Sequence, residues 1–295
     1  MIDYSLNTLA EDRIEKLIIS IESKLNADVL YLRGPMMGNL ESIFLSMIES
    51  LRKDDKKRDL GRNEIYIILT TEGGSAEVVE RLVNILRHHY SKVNFIVPDY
   101  AYSAGTIFCM SGNRIYMDYF SVLGPIDPQV ETKDGKLVAA LGYLDKIEEL
   151  IAKANNGTLS DAEFVILKDF DLAELKSYEQ AKDLTIDLLK KWLTKYKFED
   201  WKTHGSTGLQ VSNEDKEERA REIADALSDH HIWKSHGRPL SINELRELRL
   251  KIDDYSEDEE LHDAIRELHA YCTDLLQTVG IPNYIRIRRS CDENN

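Results

Sequence analysis

The stretch Val93-Asn94-Phe95-Ile96-Val97-Pro98-Asp99-Tyr100-Ala101-Tyr102-Ser103-Ala104-Gly105-Thr106 decides how the chain is read. Its apolar start reads as a short buried strand. Its end, continued by Ile107-Phe108-Cys109-Met110, reads as the first turns of a buried helix. A serine among small residues at a strand-to-helix turn can point its hydroxyl into a cleft. The unpaired N–H groups of the helix start then lie behind it, ready for a developing oxyanion. The same residue types also serve as plain turn formers and caps, so Ser103 alone leaves both readings open.

Working outward, Ala27–Leu32, Glu64–Thr70 and Asn113–Met117 read as further strands, with amphipathic helices between them. The helix over 8–25 carries Leu9, Ile14, Leu17, Ile18, Ile21 and Leu25 at a helical period, with Thr8 and Glu11 resembling a capping box. Lys53–Asp59 reads as a solvated, mixed-charge connection. Alternation of strand and helix over 27–117 implies right-handed crossovers and a largely parallel sheet. Sites in such sheets form at the carboxyl ends of the strands. The Gly-rich turn Thr71-Glu72-Gly73-Gly74-Ser75 and the Ser103 turn both lie at such ends and can face one cleft.

Beyond the rigid loop Leu123–Gln129 the strand signal fades, and Thr132–Lys136 reads as a hairpin tip. Helices are expected over 141–154, 161–170, 173–196, 214–229 and 261–279. Thr203–Ser212 is a Gly/Ser/Thr-rich boundary, Asp253–Asp263 a solvated acidic run, and Ile285–Arg288 a terminal edge strand. These readings divide the chain into a core, 1–205, and a mainly helical C-terminal region, 206–295.

At 295 residues the chain can bury a core without staples. A net charge of −15 argues against nucleic acid as a partner, because phosphate contacts need lysine and arginine. Cys109, Cys272 and Cys291 are odd in number and lack ligand spacing, so neither a disulfide framework nor a metal site is expected. The start of the chain has no signal-peptide pattern, and no apolar run approaches the ~20 residues of a membrane span. A cytoplasmic location is expected, with no cofactor.

Four segments then fall in register: Thr70-Thr71-Glu72-Gly73-Gly74-Ser75, Tyr102-Ser103-Ala104-Gly105-Thr106, Asn113-Arg114-Ile115-Tyr116-Met117 and Leu123-Gly124-Pro125-Ile126-Asp127-Pro128-Gln129. Their order and spacing resemble those of Clp-fold serine peptidases. The whole chain most resembles the serine dehydrogenase proteinase family, soluble relatives of signal peptide peptidase A in the Clp/crotonase superfamily. Trp233-Lys234-Ser235-His236-Gly237-Arg238 also looks like that family. The resemblance implies an α/β fold of repeated ββα units around a mainly parallel sheet, and homo-oligomers. It implies that Ser103 is the nucleophile and that the N–H groups of Gly74 and Ala104 form the oxyanion hole.

The general base stays open. In the Clp protease subunit a histidine follows the strand that matches Arg114–Met117, and here that position holds Asp118. Signal peptide peptidases use a lysine instead, which points to Lys146, with Lys153 and Lys136 as alternatives. A lysine serves as base only where burial lowers its pKa, and Asp145, Glu148 and Glu149 adjoin Lys146. Asp127 and His236 are candidate accessory residues, and His231 is a further histidine candidate.

The function expected is a soluble, ATP-independent serine peptidase acting on peptide or protein substrates through an acyl-enzyme. The alternative is a non-catalytic Clp-fold scaffold, with residues 214–295 as a partner-binding arm. In that arm Arg286, Arg288 and Arg289 would form a basic end. A crotonase-type acyl-CoA enzyme needs no serine nucleophile, so the Ser103 turn argues against it.

Overall fold

The computed structural model describes residues 2–127, 129–131, 137–170, 172–205, 207–280 and 283–290. In chain order the elements begin with α1 (Ile2–Leu25), β1 (Asp28–Arg33), α2 (Leu40–Arg58), β2 (Glu64–Thr70), α3 (Ala76–His89) and β3 (Lys92–Ile96). Next come β4 (Tyr100–Ala101), α4 (Ala104–Met110), β5 (Arg114–Met117), β6 (Val122–Leu123), β7 (Gln129–Glu131) and β8 (Leu137–Ala139). Helices α5 (Ala140–Asn155), α6 (Asp161–Asp169) and α7 (Leu172–Trp192) follow, and a π-helical turn, Leu193–Lys197, extends α7. The chain ends with α8 (Asn213–Ser228), α9 (His230–Trp233), α10 (Ile242–Glu247), β9 (Asp253–Asp254), α11 (Glu259–Val279) and β10 (Tyr284–Arg286).

The main sheet has the order β10-β1-β2-β3-β5-β9. All its neighbours are parallel except β10, which closes the edge antiparallel to β1. Strands β1, β2 and β3 are almost continuously buried, as expected of a sheet covered on both faces. One face packs on α2, α3, α4 and α7 through Leu30, Phe44, Leu82, Phe95 and Trp192. The other packs on α1 and α11 through Ile18, Val29, Tyr31, Ile68 and Leu268. The fold is thus mixed α/β with a mainly parallel sheet, as the sequence pattern implies. Strands β7 and β8 pair antiparallel, while the expected hairpin tip at 132–136 lies outside the described residues.

The structure differs from the sequence reading at the start of α1 and at three charged places. Helix α1 begins at Ile2, because no glycine or proline interrupts residues 2–8, so Thr8 is not a cap; Leu9 is exposed. Lys53–Asp59 is no solvated connection: α2 runs through Arg58, and Asp54 and Asp55 are buried. Nor is the acidic run simply solvated, since Asp253 on β9 accepts two hydrogen bonds from Arg114, at 2.9 and 2.7 Å. Finally, the basic end is consumed within the fold. Arg286 pairs with Glu11 and Arg289 with Asp12.

Arg288 is buried among three carboxylates: Glu22 at 2.5 Å, Asp28 at 2.7 Å and Asp54 at 2.8 Å. Arg62 adds contacts to Glu22 and Asp28, and the Tyr90 hydroxyl donates to Asp28 at 2.7 Å. Burial pushes the Glu22 carboxyl above its usual range against the pull of Arg288 and Arg62. The cluster ties α1, β1 and α2 to the segment that follows β10. Removing one partner of such a cluster strands the others in low dielectric. Arg288→Met should therefore destabilise the protein by about 3–5 kcal/mol in urea unfolding followed by circular dichroism. A loss below about 1 kcal/mol, the surface-pair level, would mean that water reaches the cluster.

Candidate active site

Parallel pairing sets the site. The ends of β2 and of the β3–β4 segment are brought side by side at one edge. After Ile96 the chain steps across so that β4 runs parallel beside the end of β2: Thr71 N–H donates to Tyr100 C=O and Tyr102 N–H to Thr71 C=O, both at 3.0 Å. On the other side, Met36 N–H donates to Gly73 C=O at 2.7 Å and Ser75 N–H to Met36 C=O at 2.9 Å. These two bonds straddle Gly74, so its own N–H is turned away from Met36. Gly73 and Gly74 have φ of 108° and 146°. A Cβ on Gly74 would stand 2.4 Å from the Met36 carbonyl oxygen, and one on Gly73 would stand 2.8 Å from the Ser103 Cβ. Only glycine fits this approach.

Ser103 has φ 52° and ψ −118°, a conformation rare for any residue with a side chain. With Gly105 N–H donating to Tyr102 C=O at 2.8 Å, it is the first central residue of a type II′ turn. Its hydroxyl does not cap α4. Among the described residues it makes no hydrogen bond, so the plain capping reading does not hold. Ser75, by contrast, caps α3, accepting from Val78 N–H at 3.1 Å. The turn is fixed from behind by Thr106, whose hydroxyl lies 2.8 Å from the carbonyl oxygens of both Ala101 and Gly124.

Ser103 opens onto a cavity of about 200 Å³, with Gly74, Ala104, Glu77 and Ile126 around it. Ala181, Leu184 and Thr185, on one face of α7, roof it. Among the described residues no backbone or side-chain acceptor engages the N–H of Gly74 or Ala104. The structure therefore brings together Ser103, Gly74 and Ala104. A larger cavity of about 470 Å³ lies elsewhere, lined by Lys197 and Trp201. Among the described residues its lining carries no hydroxyl in a strained turn, so the smaller cavity is the candidate site.

Among the described residues, no lysine or histidine lines the Ser103 cavity. Lys146, on α5, is 51% exposed and pairs with Glu149 at 2.8 Å. Lys153 pairs with Glu149 and Glu163, and hydrogen bonds to these raise its pKa. Lys136 lies outside the described residues. His231 is exposed and meets Asp145 at 2.9 Å.

His236 Nδ1 lies 2.9 Å from Asp127 Oδ1, and the Asp127 side chain is only 3% exposed. A two-residue bridge, Leu123 with Leu240, lays the His236 segment along this loop. Asp127 follows Ile126 of the cavity wall, so the two accessory candidates meet beside the site.

Asp118 stands where the Clp protease subunit has histidine, and it has a different task. Fully buried, it accepts from Tyr255 at 2.8 Å, from Phe120 N–H at 2.9 Å and from Arg266, which together dock α11. Burial alone would push its carboxyl up. The hydrogen bonds from Tyr255, Ser121, Phe120 and Arg266 outweigh that and hold it below its ordinary 3.8. Sequence reasoning missed this role, and also missed α7 as the roof. The first depends on partners 137 and 148 positions away. For the second, the only local signal was the small and short side chains at 181 and 185.

The fold and the serine turn define a Clp-like serine peptidase architecture. Residues 58–210 match the family of ClpP-like SDH-type serine proteinases, and the chain belongs to that family. Two uncharacterized proteins of Methanocaldococcus jannaschii, MJ1495 and MJ0137, are similar. The first is 29% identical over 189 residues, 64% of this chain and 52% of the relative. The second is 30% identical over 190 residues, 64% of this chain and 53% of the relative. The chain thus spans about half the length of these curated relatives. Among solved structures, a mutant of the 1510-N membrane-bound stomatin-specific protease in complex with a substrate peptide is similar at 15% identity. Its TM-score is 0.47, over 80% of this chain and 78% of that one.

Two outcomes follow from this geometry. Ser103→Gly removes the side chain that makes the turn strained, while Ser103→Ala keeps it. Ser103→Gly should be more stable than Ser103→Ala by roughly 1–3 kcal/mol, and equal melting temperatures would refute the strain. Asp118, held low in the folded state, contributes stability that is fully present above the unfolded value of 3.8 and is lost as pH falls through its lower native pKa. Asp118→Asn should flatten the acid limb of the pH–stability curve, and an unchanged limb would remove Asp118 from acid denaturation.

Proposed function

We propose that the protein is a serine peptidase that cleaves peptide bonds through an acyl-enzyme. Ser103 attacks the carbonyl, and the N–H groups of Gly74 and Ala104 hold the oxyanion. Water then releases the acyl group. The observation that carries this reading is the strained Ser103 turn, whose unengaged hydroxyl shares one cavity with two unengaged N–H donors. Family membership supports the reaction class. A peptide or protein segment is the proposed substrate, cleaved without ATP by a cytoplasmic homo-oligomer related to signal peptide peptidase A. Among the described residues no helix is long and apolar enough to cross a membrane.

Lys146 is the proposed base of a Ser–Lys dyad. To act, it must leave Glu149 and enter the cavity beside Ser103, where burial would lower its pKa. A second reading is favoured by the Asp127–His236 pair. A buried carboxylate that orients an imidazole beside a serine cavity is the arrangement of an activated base.

A fluorophosphonate should label the folded wild type, and Ser103→Ala should abolish labelling. Lys146→Ala and His236→Ala tell the bases apart. The true base should cost about 10²–10⁴-fold in labelling rate, and the other should cost little. Gly74→Ala should slow labelling by about 10²–10³-fold. No labelling of a folded sample would leave the scaffold reading in its place.

A further inference from the structure

A second cavity, of about 470 Å³, lies away from Ser103 and plays no part in the reading above. Its size falls within the range of small-ligand sites. Its walls come from the π-helical turn that ends α7, the segment after it, α8, and the connection between α10 and β9. The π turn is closed by Phe198 N–H donating to Leu193 C=O at 2.9 Å. Such turns insert one extra residue and re-aim the side chains beside them, often at functional sites. Here they aim Lys197 at the cavity.

The charge of the cavity is opposite to that of the protein. In a chain of net charge −15, it is lined by Lys197, Arg219, Arg249 and Lys251, with His204 at its side. Two of these groups are already paired: Arg219 with Glu222 at 2.5 Å and His204 with Asp215 at 3.3 Å. Among the described residues, no carboxylate lies within ion-pair distance of Lys197, Arg249 or Lys251. The one acidic residue in the lining, Asp200, is exposed and faces Lys92 at 3.9 Å. Asp253, which acts on Lys197 from β9, is itself held by both arms of Arg114.

Lys197 is part-buried, and burial pushes its ammonium down to about 7 against the pull of Asp253, with Arg114 and Lys251 adding to the fall. An unpaired ammonium in such a place gains most from an arriving anion.

The remaining wall is aromatic. Trp201 stands edge-to-face with Phe198 at 5.7 Å and with His204 at 5.3 Å. Held in this way, it offers a fixed surface for a planar ring.

We propose that this cavity binds a nucleoside phosphate, with its base against Trp201 and its phosphate held by Lys197, Arg249 and Lys251. Arginine supplies a planar fork for phosphate oxygens, and the two lysines supply point charges. Cations alone would suit any anion, and the aromatic wall is what selects a ring-bearing one.

The test is a titration of the full chain with adenosine 5′-diphosphate, read by Trp201 fluorescence and by calorimetry. Saturable quenching is expected. Lys197→Met should weaken the affinity at least about 10-fold, the effect of one charge-assisted hydrogen bond. Trp201→Phe should lose the quench while keeping measurable heat. Lys251→Gln, at the exposed mouth, is the second variant should Lys197→Met not fold. In the wild type, loss of the Lys197 proton as pH rises through about 7 should weaken binding; in Lys197→Met that fall should disappear, leaving only the dependence set by ionisation of the ligand's own terminal phosphate. Adenosine and inorganic pyrophosphate are the separating arms, and both should bind at least about 10-fold more weakly. Fluorophosphonate labelling of Ser103 should survive in every variant, which separates this proposal from the peptidase reading. It is overturned by no saturable signal at millimolar ligand, by unchanged affinity in both lysine variants, or by pyrophosphate or adenosine binding as tightly as the diphosphate.

Discussion

The site depends on how closely two strand ends approach one another. Parallel neighbours end on the same edge of a sheet, so the turns after β2 and β3–β4 are forced together. What makes the approach usable is the absence of two Cβ atoms. At Gly73 the missing atom leaves room for Ser103, and at Gly74 it lets the backbone bond to Met36 on one side while its N–H faces the other. A side chain at either place would push the turns apart by more than a hydrogen bond tolerates. The strained Ser103 backbone exists only because these neighbours leave it no alternative, and such strain is sustained where the surroundings over-determine it.

The same sheet explains why the chain's two ends matter to its middle. Helix α11 docks on the face opposite the site through Arg266, which reaches both the Pro98 carbonyl, at 2.8 Å, and Asp118. Both acceptors belong to the segments on either side of the serine turn. Strand β10 and Arg288 then close the far edge over Glu22, Asp28 and Asp54. The late parts of the chain thus brace the turn from behind.

Much of this was legible in sequence for a physical reason. The strands around residues 30, 67, 95 and 115 are nearly uniform apolar runs, and the helices between them have one apolar face. Both patterns are local, and the glycines and serine at the strand ends carry their backbone requirements with them. Charged residues were read least well. Asp54, Asp55, Asp118, Asp253 and Arg288 look like surface residues until partners from distant segments arrive, and sequence gives no sign of such pairing. The base is a case of the same kind. Lys146 could be picked by position along the chain, but its pairing with Glu149 and the meeting of His236 with Asp127 are facts of three dimensions.

Helix α4 links the two cavities. Every one of its residues, Ala104–Met110, is buried. Ser103 immediately precedes its first turn, and Cys109 near its last turn acts electrostatically on Lys197. A helix held on all sides in a close-packed interior moves as a unit or not at all. Phe108 sits edge-to-face with Phe44 at 6.4 Å and with Phe95 at 4.7 Å, so a shift of α4 must repack α2 and β3 as well. The strain at Ser103 makes the near end sensitive to small displacements, because the II′ turn tolerates a side chain only within a narrow range of backbone angles.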